Sequence, residues 1–269
     1  SCREFPIPEM DPRCTTCSQA DLRHFCGHIR SAKANGRAQL ALLVFPGSFN
    51  PVHCDHLRCL DLAKKQLESL GVVVVGALLQ PSSDEYVMNK LGPRQCMRLH
   101  DRLIACAIAA RDHADWMGVW CSGKMNGARE TQRCEKFLAE KAQRDLGKAS
   151  LTAFQVCGAD YVERCGLSCL TRPTSPPKLV LPRSGSSLPA ARLAKGWLVV
   201  TGTPPAGGES ESIPKGDASS TAVREAIHRG RWEALLRNGW ASEPLVSFLR
   251  MRHEQSRLFM TSWGGRQEF

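Results

Sequence analysis

Two short strings in this sequence combine residue types that bind and stabilise phosphate anions. The first is Gly47-Ser48-Phe49-Asn50-Pro51-Val52-His53-Cys54-Asp55-His56. His53 and His56 stand three positions apart, a spacing that brings both rings to one side of a helix start. There they lie beside unpaired backbone N–H groups and the positive end of the helix dipole, where phosphate binds well. Two imidazoles can donate hydrogen bonds to a triphosphate as charge develops on it. Gly47 lets the backbone come close to a ligand. The second string is Asp217-Ala218-Ser219-Ser220-Thr221-Ala222-Val223-Arg224. Ser219, Ser220 and Thr221 are good helix caps whose hydroxyls and N–H groups make another anion site, and Arg224 adds a cation one turn in. Taken singly, each string has a plainer reading: a capped helix with two surface histidines, and a serine cap with a surface arginine. Asp55 is an awkward neighbour, since a carboxylate beside a triphosphate is unhelpful unless it points away.

The elements around these strings place them at the ends of strands. Residues 40–45 are an apolar run ending in Pro46-Gly47 and read as a buried strand. A helix is predicted over about 55–70, with Leu57, Leu60, Ala63 and Leu67 on one face and Gly71 as its stop. Residues 72–79 are β-branched and continuous, as in a parallel strand buried on both faces. The alternation continues with a helix over 94–110, strand 116–120, helix 128–146, strand 151–157, strand 197–201 and helices over 221–229 and 243–252. Residues 171–190 are rich in Pro, Ser and Arg and read as an irregular surface excursion, and 203–216 as a Gly/Pro/Ser loop. Strands alternating with helices indicate an α/β fold, a doubly wound parallel sheet with helices on both faces.

Composition narrows the partners. There are 36 Lys and Arg against 26 Asp and Glu, a formal net charge of +10, which favours anionic ligands. Nucleic acid is not the expected partner, because charge is its sole support and much of that charge fits a solvated face. No apolar run approaches the roughly 20 residues that cross a bilayer, so a soluble cytoplasmic or nuclear protein without membrane contact is expected, as is a homo-oligomer. The 13 cysteines are odd in number and scattered through apolar segments, as for reduced, mostly buried thiols. Residues 1–38 show no clear periodicity and are read as a Cys-rich extension before a domain spanning 39–269. Cys14, Cys17, Cys26 and His28 within them are a candidate zinc set, weighed against a packed or flexible extension.

The first string resembles the Gly-x-Phe-x-Pro-x-His-x-x-His signature of the nucleotidyltransferase superfamily, carried here by Gly47, Phe49, Pro51, His53 and His56. The second resembles that superfamily's Ser-Ser-Thr-x-x-Arg signature. Within the superfamily, three features are similar to the eukaryotic-type nicotinamide/nicotinate mononucleotide adenylyltransferases. Gly-Ser-Phe-Asn-Pro runs on to His56-Leu57-Arg58. Pro81-Ser82-Ser83-Asp84-Glu85-Tyr86 is followed by Lys90-Leu91. Cys157-Gly158-Ala159-Asp160 completes the set. The resemblance covers about 40–120 and 151–235; the Leu-Trp usual after Gly-Ala-Asp is replaced by Cys169-Leu170.

The resemblance implies a Rossmann-like nucleotidyltransferase fold and a transfer of AMP from ATP to a mononucleotide, giving NAD or its deamido form and pyrophosphate. It implies that His53, His56 and Arg224 are catalytic, and that Gly47, Ser48, Phe49, Lys90, Gly158, Asp160, Ser219, Ser220 and Thr221 help bind ATP, with Asp160 on its ribose. Ser48, Lys90 and Trp120 would hold the mononucleotide, Trp120 by stacking on the pyridine ring; its other reading is a core aromatic at a strand end. Mg²⁺ is expected on the substrate phosphates and no protein-held metal. The alternatives are a transferase acting on FMN or phosphopantetheine, and a non-catalytic nucleotide-binding or chaperone-like protein on the same scaffold.

Overall fold

Along β1 (Gln39–Gly47), Ala41, Leu43 and Phe45 enter one buried cluster while Leu40, Leu42 and Val44 enter another. A strand apolar on both faces belongs in the interior of a parallel sheet covered by helices on each side. The computed structural model, which describes residues 17–36, 39–113, 115–121, 127–147, 149–158, 175–181, 197–199, 218–255 and 258–260, places it there. Among these residues the sheet has six parallel strands, adding β2 (Val73–Pro81), β3 (Met117–Val119), β4 (Ser150–Gly158), β5 (Lys178–Leu181) and β6 (Trp197–Val199), in the order β3-β2-β1-β4-β5-β6. The chain winds outward from β1 to β3, then returns to β4 on the far side of β1. That reversal is the topological switch point at which doubly wound folds bind ligands.

Helices α2 (Cys54–Ser69) and α4 (Leu99–Ala110) pack on one face through Leu60, Ala63, Leu67, Leu103 and Ile104. Three C-terminal helices join the same cluster: α7 (Ser220–His228), α8 (Trp232–Arg237) and α9 (Glu243–Glu254). The opposite face is covered by α1 (Cys17–Ala34) and α5 (Gly127–Lys141), with α6 (Gln143–Leu146) after it; Phe25, Ile29, Cys134 and Leu138 are buried there. The short α3 (Asp84–Leu91) follows β2. No helix among the described residues is long and apolar enough to cross a membrane.

Four expectations change. Residues 17–34, read as lacking periodicity, form α1. Its apolar positions Phe25, Ile29 and Ala32 do have helical spacing, but polar and charged residues surround them and dilute the signal. The stretch 171–190, read as irregular, contains the buried strand β5; Lys-Leu-Val-Leu is only four residues long and is flanked by Pro177 and Pro182, whose turn signal dominates. The helix expected over 94–110 begins only at Leu99, after a 3₁₀ turn at Pro93–Gln95, and the one expected over 128–146 is split between α5 and α6.

Helix α1 is fitted to an irregularity in the sheet. The register between β1 and β2 slips by one residue, Ala41 pairing with Val74 and Leu42 with Gly76, so Val75 is an inserted bulge residue. The His28 ring nitrogen Nδ1 bonds the Val75 carbonyl at 3.0 Å. The Phe25 ring sits so close to Gly76 that a Cβ there would lie 2.5 Å from it.

Candidate functional site

The first string forms the turn from the carboxyl end of β1 into α2. Its carbonyls are turned inward and held by four neighbours. The Ser82 N–H and hydroxyl both donate to the Gly47 carbonyl, at 2.8 and 3.1 Å. Arg102 Nη1 donates to the Ser48 carbonyl at 3.0 Å, Arg224 Nη1 to that of Asn50 at 2.8 Å, and the Ser220 hydroxyl to that of Pro51 at 3.1 Å. In a trans peptide the N–H points opposite to the C=O. The Ser48, Phe49 and Val52 N–H groups are therefore directed away from these anchors, as a set of donors suited to an anion. The Asn50 side chain fixes the turn from the other side: its Nδ2 donates to the Gln95 carbonyl and its Oδ1 accepts from Met97 N, both at 2.7 Å.

Phe49 has a positive φ of 43°, uncommon for a residue with a Cβ. Its ring is buried, edge-on to Phe45 at 5.5 Å and to His56 at 4.9 Å. Gly47 is required beneath that ring, because a Cβ there would stand 2.9 Å from it.

His53 is the N-cap of α2 and is buried; His56, one turn on, is half-buried, with the ring centroids 3.8 Å apart. The His53 backbone N–H donates to His56 Nδ1 at 3.1 Å. An accepting nitrogen carries no proton, so the neutral His56 ring holds its proton on Nε2, the nitrogen turned away from the cap. Asp55 is drawn aside: its Oδ1 pairs with Arg58 Nη1 at 3.3 Å and accepts from the Cys54 thiol at 3.7 Å. Burial first, then the Asp55 charge, raises the Cys54 pKa above the ordinary thiol value.

The second string opens α7. The Ser219 hydroxyl accepts from Ala222 N at 3.0 Å as a helix cap. Arg224 is buried; Nη1 reaches Asn50, Nη2 the Thr221 hydroxyl at 3.2 Å, and Nε has no hydrogen-bond partner. Burial lowers its pKa from the usual arginine value, yet a guanidinium stays charged. The two strings, far apart in sequence, thus touch through Arg224–Asn50 and Ser220–Pro51.

The remaining expected site residues divide. Gly158 ends β4, in register with Leu181 of β5, on the other side of the switch point. Lys90 is exposed in the last turn of α3. Asp160 and Cys14 lie outside the described residues. Trp120 follows β3 and belongs to the core cluster beneath α1 and α5. The residue is 6 % exposed, its ring is edge-on to Phe137 at 5.6 Å, and its Nε1 donates to the buried Glu130 carboxylate at 3.0 Å. Those contacts match the core reading weighed for it. Among the described residues no group of three His, Cys, Asp or Glu side chains could hold a metal ion, and the Cys26, Cys54, Cys96, Cys106 and Cys134 thiols form no disulfide.

Arg102, Asn50 and Ser82 support the turn and are not among the site residues expected from the sequence. For Arg102 a signal existed. Asp101-Arg102 is a charged pair directly before the apolar run 103–110 in the same helix, and charges adjoining such a run are buried only when they have partners.

No family model matches the chain. The nicotinamide/nicotinic acid mononucleotide adenylyltransferase of Oryza sativa subsp. japonica is 27% identical over 139 residues, 50% of this chain and 53% of that protein. The Arabidopsis thaliana protein of the same name is 31% identical over 126 residues, 45% of this chain and 50% of that protein. The chain spans about half the length of the curated relatives it matches. A solved structure of Plasmodium falciparum nicotinic acid mononucleotide adenylyltransferase complexed with APC is 11% identical, with a TM-score of 0.47 over 81% of this chain and 98% of that one. Over about half its length, this chain is similar to the nicotinamide/nicotinic acid mononucleotide adenylyltransferases that its own motifs resemble.

Proposed function

We propose that the chain is an adenylyltransferase that joins nicotinamide or nicotinate mononucleotide to the AMP part of ATP. The observation that carries this reading is the meeting of the two strings at the carboxyl end of β1, through the buried Arg224–Asn50 contact and the half-buried Ser220–Pro51 contact. The motifs and the plant relatives' names support this choice of mononucleotide.

The chemistry is an in-line displacement. A 5′-phosphate oxygen of the mononucleotide bonds to the α-phosphorus of ATP, and the bond from that phosphorus to the α,β-bridging oxygen breaks. The electron pair leaves on pyrophosphate. The nucleophile is already an anion, so the protein needs no base; its task is alignment and charge stabilisation. Ser48, Phe49 and Val52 would offer backbone N–H groups, His56 its Nε2–H, and Ser219, Ser220 and Thr221 the start of α7. Arg224 would supply fixed positive charge. ATP would enter as its magnesium complex, with the metal held by substrate oxygens and water.

The test is pyrophosphate release by purified protein with ATP, Mg²⁺ and, in turn, nicotinamide mononucleotide, nicotinate mononucleotide, FMN and phosphopantetheine. Turnover is expected with one or both pyridine mononucleotides; turnover with either of the others alone would replace this reading. His56→Ala should lower kcat by about 10²–10³-fold. It should cost about 1 kcal/mol of stability through the lost cap acceptor. A variant with near wild-type kcat would remove His56 from the mechanism.

A further inference from the structure

We propose that Arg102 is a positioning residue for phosphate binding at the first-string turn, an inference that rests on the adenylyl-transfer reading above. Its guanidinium is fully buried in α4 and joins three separate segments. Nε donates to the Met97 carbonyl at 3.0 Å, Nη1 to the Ser48 carbonyl at 3.0 Å, and Nη2 pairs with the Asp84 carboxylate at 2.7 Å. Asp84 is the first residue of α3, so one planar fork ties together the β1–α2 turn, the β2–α3 turn and the lead into α4.

A buried guanidinium is costly to desolvate, and an apolar side chain of similar volume often stabilises a core as well or better. What an apolar side chain lacks is the fork. By turning the Ser48 carbonyl inward, Nη1 sets the plane of the Ser48–Phe49 peptide and so aims the Phe49 N–H the opposite way. That peptide also leads into the positive φ of Phe49, a conformation that surrounding contacts must hold. A lysine carries a point charge and cannot reproduce the bidirectional fork.

The neighbouring residue supplies a control. Asp101 is buried beside Arg102 and pairs with Arg252, Nε to Oδ1 at 2.8 Å and Nη2 to Oδ2 at 3.1 Å. That pair fastens α4 to α9, and among the described residues neither member is hydrogen-bonded to either string. A merely structural role for Arg102 would make its loss resemble the loss of Asp101.

The experiment compares Arg102→Lys, Asp84→Asn and Asp101→Asn in the full chain by thermal melting, calorimetric titration with a non-hydrolysable ATP analogue, and steady-state kinetics. Arg102→Lys is expected to weaken analogue Kd about tenfold, or about 1.4 kcal/mol. It should lower kcat/KM more than Kd, by roughly 100-fold. Asp84→Asn should shift both in the same direction, and it carries the test if Arg102→Lys fails to fold. Asp101→Asn should lower Tm while leaving Kd within about twofold of wild type. Folded Arg102→Lys and Asp84→Asn proteins with wild-type Kd and kcat/KM, or losses no larger than those of Asp101→Asn at equal Tm, overturn the inference. If the wild type binds the analogue but transfers AMP to no mononucleotide, the adenylyl-transfer reading fails; weakened analogue binding in the variants then still supports Arg102. A wild type that does not bind the analogue overturns both.

Discussion

Trp120 stands at a strand end where a stacking platform and a core aromatic are both expected readings, and its contacts are those of the core. Its indole is buried, its N–H bonds Glu130, and the Glu130 carboxylate is also paired with Arg133 at 3.0 Å. Trp120→Ala should therefore cost about 3–5 kcal/mol. For a chain of this size that is roughly a 10 °C fall in Tm, with KM for ATP and for the mononucleotide disturbed together. Trp120→Phe keeps the ring contact and should cost about 1 kcal/mol, since Glu130 retains Arg133. Thermal melts alongside both KM values decide: a raised mononucleotide KM at unchanged Tm and unchanged ATP KM would make Trp120 a stacking platform instead. The histidines and hydroxyls of the two strings were legible as candidates because they gather at helix starts, but it was the resemblance, and not either string alone, that paired them. Arg102 and Ser82 were not legible, because their role exists only through carbonyls brought to them by the fold.

Among the elements, the last turn of α7 carries a pH-sensitive contact. The His228 ring stacks on Phe259 at 4.5 Å, and its pKa is lowered from the ordinary 6.5, first by burial and then by His253 and Arg224. Above 6.5 the residue is neutral whether the chain is folded or unfolded, and it contributes no pH dependence. As the pH falls below that value the unfolded chain takes up the proton first, so stability is lost until the lower folded pKa is passed. His228→Gln should flatten this part of the profile, read as the difference between variant and wild-type Tm at about pH 7.5 and about pH 5.5. Of the elements themselves, β1, α2 and β2 were legible because apolar periodicity and Gly stops agree there. Strand β5 was hidden by its prolines, and α1 by a polar surround that conceals Phe25, Ile29 and Ala32.

For the molecule as a whole, alternation of strands and helices sufficed to predict a doubly wound sheet, but not its strand order, which depends on long-range pairing. The convergence of the two strings was likewise expected from resemblance rather than from anything local, and the Arg224–Asn50 contact gives it a geometry. The covering of the second sheet face has a stability consequence. A chain shortened to begin at residue 39 loses Phe25 and Ile29, both fully buried, and uncovers part of that face. At roughly 1.5–3 kcal/mol for each large apolar side chain, the two amount to about 3–6 kcal/mol, comparable to the lower end of a typical 5–15 kcal/mol stability. Such a chain should bind a hydrophobic dye and melt without cooperativity, while the full chain keeps a sharp transition; equal melting of the two would show that α1 is dispensable.

The bulge at Val75 gives α1 a further part, as a proofreader of strand alignment. Its two anchors, Phe25 over the bare Gly76 backbone and His28 on the Val75 carbonyl, exist only when β2 is threaded against β1 in one particular way. A slip of one residue would place the side chain of Val75 or Ala77 where the Phe25 ring must sit, and would carry every neighbouring side chain to the wrong face. The fit of the helix to the bulge therefore favours this register over one shifted by a single residue.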